Sequence, residues 1–448
     1  MNRKKVTIIG SGLTGPLLSI MLAQRGFKVK LIEKLPDIRQ SDIYAGRSIN
    51  LALSHRGIKA LTDVEVFDMV SSTLIPMYGR NIHHLDGSEE FQPYSISPDE
   101  YINSVSREGL TKCLMTAAEE TGMVDIVFDS QIKSIDMNHR SVHHEQGTMS
   151  VDFPIFGTDG AGSVVRDTIN QLSKQESTLE PLGHSYKELV IMPGENNSFK
   201  LEKNALHIWP RGKYMLIALP NVDGSFTCTL FLPNIGDPSF ESLRSPEQIR
   251  SFFSEQFSDT VTHLHDLEVT FKENPVGMLG TVYTDNWHWQ DELCLLGDAA
   301  HAVVPFFGQG MNASFEDCTV LANCIDESGG DDWGEVFSAY REQRKKDGDA
   351  IARMALENYI EMRDHVAQPE YLLKKIVSNR LAEAFPQRFI PRYSMVSFTS
   401  IPYHEVYQRG EIQAEIIDEL IYQLDPNGGV NLNLAGKLID EKHTPVVG

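Results

Sequence analysis

Val6-Thr7-Ile8-Ile9-Gly10-Ser11-Gly12-Leu13-Thr14-Gly15, followed by Lys28-Val29-Lys30-Leu31-Ile32-Glu33, decides how this chain must fold. The first apolar run predicts a buried strand and the glycines a tight turn. Residues 14–25 read as a helix and residues 28–33 as a second strand. Strand, helix and strand in such close succession make a βαβ unit, which implies a parallel sheet with helices on both faces. In Gly10-x-Gly12-x-x-Gly15 the first glycine permits the turn, the second lets backbone approach a pyrophosphate, and the third lets the helix pack closely. The helix N-terminus then offers its N–H groups and dipole to the phosphates. Glu33 closes the second strand, where a carboxylate accepts from a ribose diol and repels a 2′-phosphate. An adenine dinucleotide other than NADP is therefore expected on this half of the fold.

Working outward, a helix near residues 108–121 precedes another strand at 125–128. The middle of the chain changes character. Residues 205–210, 214–220 and 225–232 are strand-like runs separated by Arg211-Gly212-Lys213 and Asn221-Val222-Asp223-Gly224, both good hairpin turns. They predict an antiparallel meander inserted into the first architecture. Residues 292–296 form a short buried strand leading into Gly297-Asp298, and a helix starts near Gly310. From Asp332 onward the pattern is helical, broken at Pro386, Pro391 and Pro402. The expected fold is α/β: a Rossmann-like dinucleotide domain (1–75, 100–180 and 275–345), an inserted antiparallel-sheet substrate domain (76–99 and 181–274) and a C-terminal helical region (346–448).

The 448 residues suffice for such a multi-domain chain. With 40 Lys+Arg against 62 Asp+Glu the net charge is −22, which argues against nucleic acid and anionic lipid as partners but leaves a small anion free to meet one placed arginine. The five scattered cysteines form no C-x-x-C and no zinc spacing, so reduced thiols in a cytoplasmic protein are expected and no metal site. Arg3, Lys4 and Lys5 before an apolar stretch imitate a signal peptide, but the glycines already explain that stretch. No run is long and apolar enough to predict a transmembrane helix. Residues 416–424 read as an amphipathic surface helix. The pairs His83-His84 and His143-His144 read as solvated turn residues, and the acidic pairs Glu89-Glu90 and Asp331-Asp332 as ordinary exposed charge.

A second motif settles which dinucleotide is meant. A strand ending in Gly297-Asp298, then Pro305-Phe306-Phe307-Gly308-Gln309-Gly310-Met311-Asn312 before a helix, places a carboxylate for a ribityl chain and N–H groups for the edge of a flavin ring. Joined to the first motif, to Thr158-Asp159-Gly160 and to Arg107, it favours FAD. His301 reads as structural, because flavin hydroxylation needs no histidine nucleophile. These elements resemble the class A flavoprotein aromatic hydroxylases. The longer strings Gly46–Gly57, Leu206-His207-Ile208-Trp209-Pro210-Arg211, Ser225–Phe231, Pro305–Asn312 and Asn358-Tyr359-Ile360-Glu361-Met362-Arg363 are similar to the branch that acts on L-kynurenine. The likeness covers roughly residues 4 to 410.

That resemblance implies an enzyme with tightly but non-covalently bound FAD, NADPH as a transient co-substrate and O2, hydroxylating L-kynurenine through a flavin C4a-hydroperoxide without a protein acid or base. It implies substrate contacts from Arg80, Tyr94, Asn358 and Tyr393, with Phe306 and Gln309 lining the pocket, although Phe306 fits the core equally well. By the same likeness FAD meets Gly10, Gly12, Thr14, Gly15, Glu33, Ala52, Arg107, Ile132, Asp298, Gly310, Met311 and Asn312. Mitochondrial members carry a C-terminal membrane anchor without counterpart here, so a soluble, cytoplasmic form is expected, with a homodimer as one option. Rival readings are another ring hydroxylase of hydroxybenzoate or salicylate type, and a non-catalytic binding protein on the same fold. Trp287-His288-Trp289 is similar to a flavin-halogenase motif, but Gln290-Asp291 departs from it.

Overall fold

A computed structural model describes residues 4–40, 50–329, 332–366, 368–425 and 429–442. Arg3, residues 46–49 of the Gly46–Gly57 string and Asp331 lie outside the described residues. The chain divides into two compact units, one of Met1–Leu74, Val105–Leu182 and Met278–Ala355, the other of Ile75–Ser104, Gly183–Gly277 and Leu356–Gly448.

In the first unit the strand Lys5–Ile9 pairs in parallel with Lys28–Ile32 on one side and Ile155–Gly157 on the other. The six-stranded sheet is completed by Val124–Val127, Leu293–Leu295 and the short antiparallel strand His288–Trp289. Because the chain leaves Lys5–Ile9 between neighbours reached in opposite directions, the turn at Gly10 sits at the topological switch point, where open α/β sheets bind ligands. The helix Thr14–Gln24 is buried at nearly every position, as an apolar helix without a polar face must be. It packs against the helix Gly310–Ser328, and their side chains join one core with Val6, Ile8, Leu31 and Leu295. The expected elements thus appear, with ends shifted by a residue or two.

In the second unit the strands run in the order 183–191 (the end of the strand Thr178–Ile191), Phe226–Pro233, Met215–Pro220, Ala205–Pro210, Gly79–His83 and Glu89–Pro93. The meander is antiparallel as expected, but Ala205–Pro210 runs parallel to Gly79–His83, a pairing that hairpin signals could not announce because the partners are far apart in sequence. One face is sealed by Phe252, Phe253, Phe257, Leu267 and Phe271 from the helices Pro246–Gln256 and Leu267–Glu273. The C-terminal stripe is the inner face of an amphipathic helix, as expected, with Glu411, Glu415 and Asp418 exposed on the other side. Ile416 and Leu420, on Tyr403–Ile421, are buried with Val377, Leu381, Leu438 and Ile439 from neighbouring helices, so helix packing absorbs the apolar face. Among the described residues no helix is long and apolar enough to cross a membrane.

Candidate active site

The dinucleotide cradle lies wholly in the first unit. Gly10 has φ +103°, and a Cβ there would lie 2.5 Å from the Thr158 carbonyl oxygen; one at Gly15 would lie 2.1 Å from the Gly10 carbonyl. Those two glycines are needed to close the turn. A Cβ at Gly12 would meet nothing within 4 Å, so that glycine leaves space the protein itself does not fill. The helix beginning at Thr14 has no side-chain cap, and its first N–H groups are left for an acceptor. The Glu33 carboxylate is anchored by the N–H of Ser11 at 2.7 Å and of Leu35 at 2.9 Å. The Ser11 hydroxyl is buried without a partner. These features fit a dinucleotide's pyrophosphate and ribose.

The second motif lies in the same unit. Gly297 has φ +60° and Gly308 φ +66°; Gly310 begins an uncapped helix, and Asp298 is exposed just beyond the strand. Asn312 acts as a brace, its side-chain amide donating to the carbonyls of Ala52 at 2.8 Å and Gly308 at 2.9 Å while its oxygen accepts from the Ser54 N–H at 2.9 Å. Arg107 is exposed at the start of the helix Arg107–Glu120, and its guanidinium makes no ion pair among the described residues. Ile132 and Met311 are buried. Phe306 is buried too, and Gln309 donates to the Ser54 hydroxyl at 3.3 Å.

A buried ionic network stands behind this motif. Asp317, fully buried, accepts from the Gly297 N–H at 2.9 Å, from His301 Nε2 at 2.6 Å and from Arg344 Nε at 2.8 Å. Arg344 continues to Glu316 and Asp347. Burial alone would raise the Asp317 pKa, but His301 and Arg344 outweigh it and hold the carboxyl below its usual range. His301 is thus spent inside the protein, and Trp287, stacked on it at 5.1 Å, is core.

The other cluster belongs to the second unit. Arg80, on the strand Gly79–His83, is only 5% exposed. Its guanidinium lies 5.8 Å from the ring of Tyr94 and 5.3 Å from that of Tyr393, and the two rings stack at 4.8 Å. Nη1 reaches the Glu361 carboxylate at 3.3 Å, which also accepts from the Tyr371 hydroxyl at 3.0 Å. Burial works against the Arg80 charge, yet Tyr371, Glu361, Tyr94 and Tyr393 keep its pKa above the ordinary arginine value. Burial raises both the Tyr94 and Tyr393 phenols, so they stay protonated and can donate. Lys375, one helical turn beyond Tyr371, is lowered to about 8 by burial and by Arg80. Arg80 Nε is buried and makes no hydrogen bond, while the Tyr94 hydroxyl is within hydrogen-bonding reach of Tyr393 and Arg80. A buried cation with an unmet N–H suits a carboxylate.

Of the residues expected at the substrate, Arg80, Tyr94 and Tyr393 therefore come together. Asn358 is buried one turn before Glu361 and donates to the Met362 sulfur at 3.3 Å. Phe306 and Gln309 belong to the first unit. No sequence signal singles out Glu361, Tyr371 or Lys375: Glu361 sits inside Asn358-Tyr359-Ile360-Glu361-Met362-Arg363, and the i, i+4 pair Tyr371 and Lys375 carries no motif.

Comparison with known proteins places residues 3–355 in a family described as the FAD binding domain. The kynurenine 3-monooxygenase of Myxococcus xanthus is 45% identical over 98% of this chain and 96% of its own. That of Dictyostelium discoideum is 42% identical over 97% of each chain. Among solved structures, the tetrameric form of 2-methyl-3-hydroxypyridine-5-carboxylic acid oxygenase matches with TM-score 0.66 at 20% identity, over 83% of this chain and 96% of that one. Pseudomonas aeruginosa PqsL in complex with 2-aminobenzoylacetate matches with TM-score 0.66 at 19% identity, over 81% of this chain and 98% of that one. At such identity these structures establish the fold alone.

Proposed function

Because the chain belongs to the FAD binding domain family and, within it, to the kynurenine 3-monooxygenases, we propose that it hydroxylates L-kynurenine to 3-hydroxy-L-kynurenine with NADPH and O2. Bound FAD supplies the electron transfer and oxygen activation that side chains lack. Gly10, Gly12, Thr14, Gly15 and Glu33 would hold its adenosine and pyrophosphate end. Asp298 and the backbone of Gly310, Met311 and Asn312 would hold the ribityl chain and ring, with Ala52, Arg107 and Ile132 as further contacts.

The protein's own part is recognition of the amino acid. The Arg80 guanidinium grips the α-carboxylate through two parallel N–H···O bonds, and the neutral phenols of Tyr94 and Tyr393 donate to the same oxygens. Glu361 is the anion that the α-ammonium meets, leaving Arg80 as the carboxylate takes its place. Asn358 adds a neutral donor one turn away. No side chain need take a proton from the ring for activation, since the aniline nitrogen already enriches its ortho carbon. A hydroxybenzoate-type substrate has no ammonium for Glu361, which disfavours that reading. The observation that carries the proposal is the buried Arg80, its Nε without a partner, beside the stacked rings of Tyr94 and Tyr393. NADPH oxidation with and without L-kynurenine, with product analysis, tests it: stimulation and a 3-hydroxylated product are expected, and their absence would remove the substrate while leaving FAD.

A further inference from the structure

The string Leu206-His207-Ile208-Trp209-Pro210-Arg211 takes no part in the scheme above, yet three of its side chains converge on one residue. His207 and Trp209, two apart, share a face of the strand Ala205–Pro210, and Arg211 follows at the same spacing. Their target is His83, at the end of the parallel neighbour Gly79–His83, whose side chain alternates to the face opposite Arg80. The sequence reading put His83 in a solvated turn, but it is 2% exposed. Its Nε2 lies 2.8 Å from His207 Nδ1 and its Nδ1 lies 2.9 Å from Asp259 Oδ2. The indole of Trp209 stacks on its ring at 4.0 Å and donates to the same Asp259 oxygen at 2.8 Å. Arg211 Nη1 donates to the His83 carbonyl at 2.9 Å.

Hydrogen-bond accounting fixes the protons. His207 Nε2 faces the Glu202 carbonyl at 2.8 Å, an acceptor only, so Nε2 must carry hydrogen. Burial, foremost, lowers the His207 pKa to about 4; the ring is neutral and its Nδ1 is an acceptor. His83 Nε2 must then donate. The Asp259 carboxylate, held below its usual range by His83 and Trp209 against the effect of burial, can only accept, so His83 Nδ1 must donate too. The other charges facing this ring are Glu89, at 3.8 Å, and Arg211.

We infer that His83 is kept as a buried imidazolium clasped by Asp259 and His207, and that this clasp positions the strand carrying Arg80. The inference rests on the reading of Arg80 as the carboxylate anchor. Gly79–His83 lies next to the sheet edge, where only the short strand Glu89–Pro93 supports it from outside. A guanidinium must sit within a fraction of an ångström to bind bidentately, and the clasp ties its strand to Ala205–Pro210 by side chains as well as backbone.

Two measurements on the FAD-loaded protein test this. Selective 15N-histidine NMR, with His83→Asn for assignment, is expected to show His83 protonated at both nitrogens at pH 7.5. Asp259→Asn, which keeps an acceptor for Trp209 but removes the charge, is expected to abolish that signature. The same variant should raise KM for L-kynurenine about tenfold with kcat changed less than about twofold, and Asp259→Glu should recover part of the loss. His207→Gln should follow the same pattern, as a second variant if Asp259→Asn folds poorly. A neutral His83 in the unmodified protein, or folded, flavin-loaded variants with unchanged KM, would overturn the inference. An unmodified protein inert towards L-kynurenine would instead sink the functional reading, and the NMR would still decide the charge.

Discussion

Two parallel N–H···O bonds need the planar fork of a guanidinium, which a lysine ammonium cannot reproduce. Arg80→Lys keeps the charge beside Glu361 but loses that geometry, and should weaken L-kynurenine binding by about 2 kcal/mol, or roughly thirtyfold. Titration of the flavin absorbance with substrate measures this, and an unchanged dissociation constant would remove Arg80 from the site. Lys375 allows a pH test with a definite sign. Burial and Arg80 lower its pKa to about 8, so it is charged below that pH and neutral above. A bound carboxylate favours the charged form, hence affinity should fall as pH rises through about 8. Lys375→Met should flatten that limb and weaken binding at pH 7.

At the scale of elements, the glycine turn separates residues needed by the fold from one needed by the ligand. Gly12→Ala puts a methyl where the protein has open space, so the apoprotein should keep its Tm while FAD affinity drops about tenfold or more, in proportion to how closely backbone must approach the pyrophosphate. Equal FAD binding by fluorescence titration would contradict that role. The turn at Gly297 depends on Asp317 from the packed helix Gly310–Ser328. Asp317→Asn leaves Arg344 and His301 without their shared buried carboxylate, and should cost about 3 kcal/mol. Burial lowers the His301 pKa, but Asp317 outweighs it and the net shift is upward. Stability from this pair is therefore complete below the ordinary imidazole pKa of about 6.5 and is lost as pH rises through the higher folded value. The Tm gap between unmodified protein and Asp317→Asn should accordingly be widest near pH 6 and narrow in alkali.

At the scale of the whole molecule, FAD couples to stability by mass action. Apoprotein supplied with FAD at a hundred times its dissociation constant should gain about 2.7 kcal/mol, seen as a rise in Tm; no rise would exclude specific binding to the folded state. The strand Lys5–Ile9, the turn glycines, Glu33 and the helix from Gly310 were legible because their signals are local: apolar runs, glycine where side chains clash, and a carboxylate at a fixed distance from the turn. The resemblance pointed to Arg80, Tyr94 and Tyr393 but gave no reason for Glu361, Tyr371 or Lys375, and the sequence misplaced His83 altogether. Arg80 meets Glu361 across 281 positions and His83 meets Asp259 across 176. By itself, then, the sequence determined the βαβ unit, the dinucleotide turn and a net charge of −22. The buried charges opposite Arg80, Asp317 and His83 were decided only by tertiary structure, because a polar side chain's burial and partner depend on which distant segments close over it, and no spacing along the chain encodes that.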